Sequence, residues 1–121
     1  MQHAAQTYKN VANETSSARE LEASLLLKSA ARIQSIRDGW EGRTTELADA
    51  LLFNRKLWTI FLDSILRDEN PLPIEVRKNV CSLSVFVINR TIKLTGDPKP
   101  EGLGSLININ RELAAGLLGR A

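Results

Sequence analysis

Few residues in this chain could make or break a covalent bond. His3 is the only histidine and Cys81 the only cysteine. A nucleophile needs a base within hydrogen-bond reach. Here the histidine stands near the N-terminus and the cysteine lies in the apolar stretch "VCSLSVFVI". His, Cys, Asp and Glu form no group with metal-ligand spacing. "EGLGS" at 101–105 has the glycines of a phosphate loop, but neither the preceding strand nor the lysine. The carboxylates scatter along faces that also carry lysine and arginine. Catalysis, a cofactor and a metal are therefore not expected. Asn13-Glu14-Thr15 and Asn89-Arg90-Thr91 fit the glycosylation pattern. The first twenty residues lack the apolar block of a secretory signal, so both are set aside.

The chemistry that remains is recognition by polar groups set into apolar faces. "LLFNRKLWTIFLDSI" at 51–65 carries Asn54-Arg55-Lys56 inside a greasy run. Turning each residue by about 100° places Lys56 with Asp49, Asp63 and Arg67 on a solvated stripe. Asn54 does not join them. It points with Leu47, Leu51, Trp58, Phe61 and Ile65, and Arg55 falls on the flank beside Leu62 and Leu66. Further on, Leu106, Ile107, Leu113, Ala114 and Leu117 form an apolar face into which Asn110 points, with Arg111 at its edge. Asn89, by contrast, lies with Lys78, Ser82 and Lys93 on a wet face. A buried amide without a partner costs a few kcal/mol, so both inward asparagines must be paired. They either fix the register of the helices or face a groove that a partner peptide fills. Trp58 reads as core or as part of that groove. Phe86 sits in a polar arc with Ser82, Asn89 and Arg90, which marks it as a contact residue. Glu22 and Ser29 interrupt the apolar arc of the first helix. The candidate partner-binding set is Glu22, Asn54, Arg55, Trp58, Phe86, Asn110 and Arg111.

Four helices must position these groups. Gly39 and Gly42, "NPLP" at 70–73 and "GDPKP" at 96–100 break the chain into segments. The first helix is expected over 17–37, with Ser17 and Glu20 as a capping box. The second spans 45–68, with Thr45 as N-cap and an Asp63–Arg67 pair. The third spans 73–95, with Pro73 in its first turn and Gly96 as its C-terminal cap. Its "NVCSLSVFVINRTI" is rich in β-branched residues and reads tolerably as a strand. Helix is preferred because Val76, Val80, Leu83, Val87 and Leu94 share one stripe at helical spacing. The fourth spans 105–118, capped by Ser105. Residues 3–12 add a short turn of helix around Tyr8, or fray. With 121 residues and 43% hydrophobic content, this is one all-α domain over 1–121, an antiparallel bundle or a close variant, with residues 1–14 at its margin. One cysteine permits no internal disulfide, and no run is long enough to span a bilayer, which points to a cytoplasmic protein.

Four blocks then match one family in order. "SARELEASLLLKSAARI", "ELADALLFNRKLWTIF", "NPLPIEVRKNVCSLSVFV" and "LININRELAAGL" resemble the FlaF family of bacterial flagellar biosynthesis proteins through nearly the whole chain. The resemblance implies a cytoplasmic factor for flagellin production and filament assembly. It also implies FlbT, a regulator of flagellin messenger, as an associated partner. Two mechanisms fit: holding unfolded flagellin for export, or acting on translation through messenger RNA or FlbT. Helix-in-groove binding uses apolar surface with a few convergent polar groups, which Asn54, Arg55, Asn110 and Arg111 would supply. Messenger binding asks for a basic, aromatic-studded surface. The net charge is only +2. An RNA reading could live only at 71–100, where Arg77, Lys78, Arg90, Lys93 and Lys99 outnumber Glu75 and Asp97. The flagellin reading is therefore preferred.

Overall fold

The structure, a computed structural model, describes the backbone of residues 2–119 and the side chains of Gln6 and residues 18–119. The order is α1 (Gln2–Asp38), a short α2 (Trp40–Arg43), a 3-10 turn (Thr44–Glu46), α3 (Leu47–Leu66), α4 (Ile74–Gly96), a 3-10 turn (Pro100–Gly102) and α5 (Leu103–Leu117). The described residues contain no strand, so the β-branched stretch of α4 is helical as expected.

α1 differs from the expectation at its start. No proline or glycine occurs between Gln2 and Asp38, and nothing else in that stretch stops a helix. The turn around Tyr8 is simply part of α1, and Ser17 lies inside the helix rather than at its cap. The side chains of His3, Tyr8 and Ser17 lie outside the described residues. α1 closes at Gly39, whose N–H donates to Ser35 O at 3.1 Å.

The caps expected at Thr45 and Ser105 are not formed either, because a 3-10 turn precedes each helix and pulls its start elsewhere. Thr45 sits within the first turn and α3 begins at Leu47. That corner is held by Arg43, whose Nε and Nη2 donate to Glu46 at 2.7 and 2.9 Å. The hydrogen bonds from Arg43 hold the Glu46 carboxyl below the usual carboxylate range. Ser105 lies inside α5, and its Oγ turns back to Gly102 O. Pro73 precedes α4 as its N-cap, and Gly96 is its last helical residue, followed by Asp97 at the C-cap. The Asp63–Arg67 pair is absent from the ion pairs of the described residues, since α3 ends at Leu66 and Arg67 turns extended.

α3 and α4 form an antiparallel hairpin. Its turn is tied by Asn70, whose Nδ2 donates to Ser64 O at 3.0 Å and whose Oδ1 accepts from Leu72 N at 3.0 Å. Arg77, one turn into α4, reaches back across the turn. It donates to Ile65 O at 3.0 and 3.1 Å and to Arg67 O at 2.8 Å. Carbonyls at a helix C-terminus have no intrahelical partner and carry partial negative charge, so a guanidinium satisfies both needs.

α1 packs against α3 and α5, and α5 runs antiparallel to α1: Arg37 lies beside Gly104 and Arg19 beside Leu117. One core unites them, from Leu26, Ile33 and Ile36 of α1 through Leu51 and Trp58 of α3 to Leu103, Leu106 and Ile107 of α5. Val87 and Leu94 bring α4 into it. Val76, expected on that stripe, is exposed, because the first turn of α4 runs past the core.

Candidate functional site

The polar residues singled out by spacing converge at the centre of α1, α3 and α5. Trp58 Nε1 donates to Asn110 Oδ1 at 2.9 Å. Asn110 Nδ2 donates to Asn54 Oδ1 at 2.8 Å and to Leu26 O at 3.3 Å. Ser29 Oγ donates to Asn54 Oδ1 at 2.9 Å. Asn54, Trp58 and Asn110 are each 0% exposed. They present no surface to a partner in this arrangement. Their geometry is that of a register lock, one of the two accounts that spacing alone left open.

The chain of bonds has a fixed direction. An indole N–H can only donate, so Asn110 must turn its oxygen to Trp58. Its NH2 then faces Asn54, which must answer with oxygen. Inverting either amide would set donor against donor. The Asn54 oxygen accepts twice, and its Nδ2 is buried with no hydrogen-bond partner among the described residues. Ser29 is the member that sequence reasoning missed. Its signal was visible, a hydroxyl in the apolar arc of α1, but its partner is 25 residues away.

The remaining candidates are dispersed over the surface. Arg55 is exposed on α3, next to half-buried Leu62 and exposed Leu66. Arg111 is exposed on α5 and donates to Gln34 Oε1 on α1. Phe86 is 43% exposed, with the Arg90 guanidinium 5.4 Å from its ring centroid. Glu22 lines a groove at the far end of the bundle with Phe61, Leu72, Val80, Leu113 and Leu117. Burial there pushes its carboxyl above the ordinary value, against the opposing pull of Arg19. The structure thus gathers two of the seven candidates with Trp58 in the core and leaves four on separate faces.

The description "Flagellar protein FlaF" belongs to a family model that matches residues 4–117. The chain belongs to the FlaF family. The match covers the lock, the hairpin and α5 alike, and it makes this a flagellar protein with a role in flagellar biogenesis. No curated protein and no solved structure matches the chain. Among the described residues, no helix of this FlaF-family chain is long and apolar enough to cross a membrane.

The cations that an RNA reading needs are partly committed elsewhere. Arg77 is bound to carbonyls of α3 and its turn, and Lys99 Nζ lies 3.3 Å from Asp97 Oδ2. Arg90 is stacked on Phe86. Exposed apolar residues are more abundant. Of the eleven large exposed hydrophobics among the described side chains, nine fall between Leu52 and Ile92, on α3, the turn and α4.

Proposed function

We propose that this chain is a non-enzymatic cytoplasmic factor that binds flagellin, holding it for export and coupling its supply to filament assembly. Family membership supports the flagellar setting. The observation that carries the reading further is the concentration of exposed apolar side chains on α3 and α4. Five of them, Leu52, Leu66, Ile74, Val85 and Ile92, fall on the two neighbouring stripes of the hairpin, and a contiguous apolar surface of that kind marks a place where a macromolecule docks. Helices with apolar stripes, like those of an unassembled filament subunit, are suited to such a surface. FlbT is the second partner of this reading, acting on the same flagellin supply.

Isothermal titration of the full chain with monomeric flagellin tests it. A useful holding contact reaches about micromolar, or roughly −8 kcal/mol. Absence of heat at concentrations about tenfold higher overturns the reading. Tight, sequence-specific binding of a flagellin leader RNA at physiological salt would transfer the function to messenger.

A further inference from the structure

We propose that the outer face of the α3–α4 hairpin docks an amphipathic helix whose apolar stripe is accompanied by carboxylates. The natural identity of that helix rests on the flagellin reading, but the surface does not. On α4, Ile74, Lys78, Cys81, Val85 and Ile92 recur at helical spacing on one stripe. Ile74, Val85 and Ile92 are 58%, 44% and 48% exposed, and Cys81 is half-buried. On α3, Leu52, Arg55, Thr59, Leu62 and Leu66 form the matching stripe, with Leu66 61% exposed. The hydrogen bonds from Arg77 to Ile65 join the two helices at the turn, and at 1.5 Å per residue an antiparallel continuation from there carries Leu62 to about the level of Cys81 and Leu52 to about that of Ile92. At the turn end, Leu66, Ile74, Lys78 and Cys81 line one shared depression. The two stripes therefore lie side by side. From Ile74 to Ile92 they extend about 27 Å at 1.5 Å per residue, the length of a helix of roughly 18 residues.

Charge selects the occupant. The stripes carry two cations, Arg55 and Lys78, and no carboxylate. The α3 border is balanced, with Lys56 and Arg67 against Asp49 and Asp63, and Asp68 and Glu69 lie out on the turn. A second copy of this chain would set a patch carrying Arg55 and Lys78 against the same patch, with no carboxylate in either stripe to pair them, because an isologous contact uses the same patch twice. A helix with carboxylates beside its apolar stripe meets them with opposite charge. The Glu22 groove is a poorer candidate, since Arg19 and Glu22 both line it and it offers no unbalanced charge to select an occupant.

The test titrates the full chain with two synthetic helical peptides that share apolar heptad positions and differ only in flanks, glutamate in one and lysine in the other. The glutamate peptide should bind at least about tenfold tighter, a difference of about 1.4 kcal/mol. The double variant Arg55→Glu/Lys78→Glu should lose or reverse that preference. Val85→Ser/Ile92→Ser should weaken both peptides, and Lys28→Glu, on α1, should change neither. Equal binding of the two peptides, or a preference that survives the double reversal, overturns the proposal. So does a dimer in sedimentation equilibrium that Val85→Glu dissociates. Monomeric flagellin is run in parallel. If it fails to bind while the peptide preference holds, the flagellin reading falls and the docking surface stands. If it binds but ignores the double reversal, the flagellin reading stands and this surface is not its site.

Discussion

At the scale of the residue, the polar core is a set of dependent bonds rather than a collection of separate ones. Trp58 anchors it because its single donor dictates how both amides turn. Trp58→Phe should lower stability by about 3 kcal/mol, combining a small cavity with an Asn110 oxygen left without a donor. Asn54→Leu should cost one to about 3 kcal/mol, because Ser29 loses its acceptor while Asn110 keeps Leu26 O. Ser29→Ala should cost about 1 kcal/mol, since the Asn54 oxygen keeps its bond from Asn110. Urea unfolding of the three variants checks that order, and Asn54→Leu as the mildest of them would refute the dependence. Glu22 supplies a pH effect. Its carboxyl is raised by burial, so the folded state holds its proton to higher pH than the unfolded state does. Stability from this group is therefore highest when it is protonated and declines as pH rises from the ordinary glutamate range through the raised value. Glu22→Gln should melt higher than the parent at neutral pH, and the two should converge once acid protonates Glu22. Convergence at neutral pH with a gap in acid would contradict the assigned cause. That Asn54 and Asn110 point inward was legible because helical period alone sets direction. That they meet each other, and Ser29, was not, because contact depends on how α1 and α5 slide past α3.

At the scale of the element, helix interiors were readable and helix ends were not. The three capping hydroxyls expected at Ser17, Thr45 and Ser105 all lie inside helices or 3-10 turns, since local capping signals occur more often than chain ends need them. The groups that do close the elements act over distance. Arg77 belongs to α4 but serves carbonyls at the end of α3 and in its turn, 12 and 10 residues earlier. Arg77→Met keeps much of the apolar stem and removes the donors, so it should destabilise by about 1.5–3 kcal/mol, as for hydrogen bonds from a charged group. Thermal melts of Arg77→Met and Arg77→Lys check this, and a lysine variant equal to the parent would show that the fork geometry is not needed. Gly102 closes the other turn by close approach. A Cβ there would lie 2.7 Å from Leu94 Cδ2. Leu94 is 5% exposed and has little room to retreat. Gly102→Ala should therefore cost about 1–3 kcal/mol despite its helix-compatible backbone, and Gly102→Ala/Leu94→Ala should recover part of the strain portion.

At the scale of the whole molecule, the four helices are joined unequally. α1, α3 and α5 share the amide lock, whereas the buried hydroxyls of α4 serve their own helix. Ser84 Oγ donates to Val80 O at 2.7 Å and Thr91 Oγ1 to Val87 O at 2.6 Å. These two buried residues went unread in the sequence, where they look like ordinary polar positions, and they let α4 lie close to α3 without bonding it. Apart from Arg77 at the turn, no side-chain hydrogen bond joins α4 to α3 among the described residues. Such an interface is a joint held by packing: α4 is tied to α3 by polar contacts only where Arg77 meets the turn, and by the apolar contacts of Val87 and Leu94 beyond it. Amide hydrogen exchange should then find α4 opening before the other three helices. Uniform protection across all four helices would show the joint to be rigid. A joint of this kind would let the outer face of the hairpin conform to helices of differing girth while the locked trio keeps its shape.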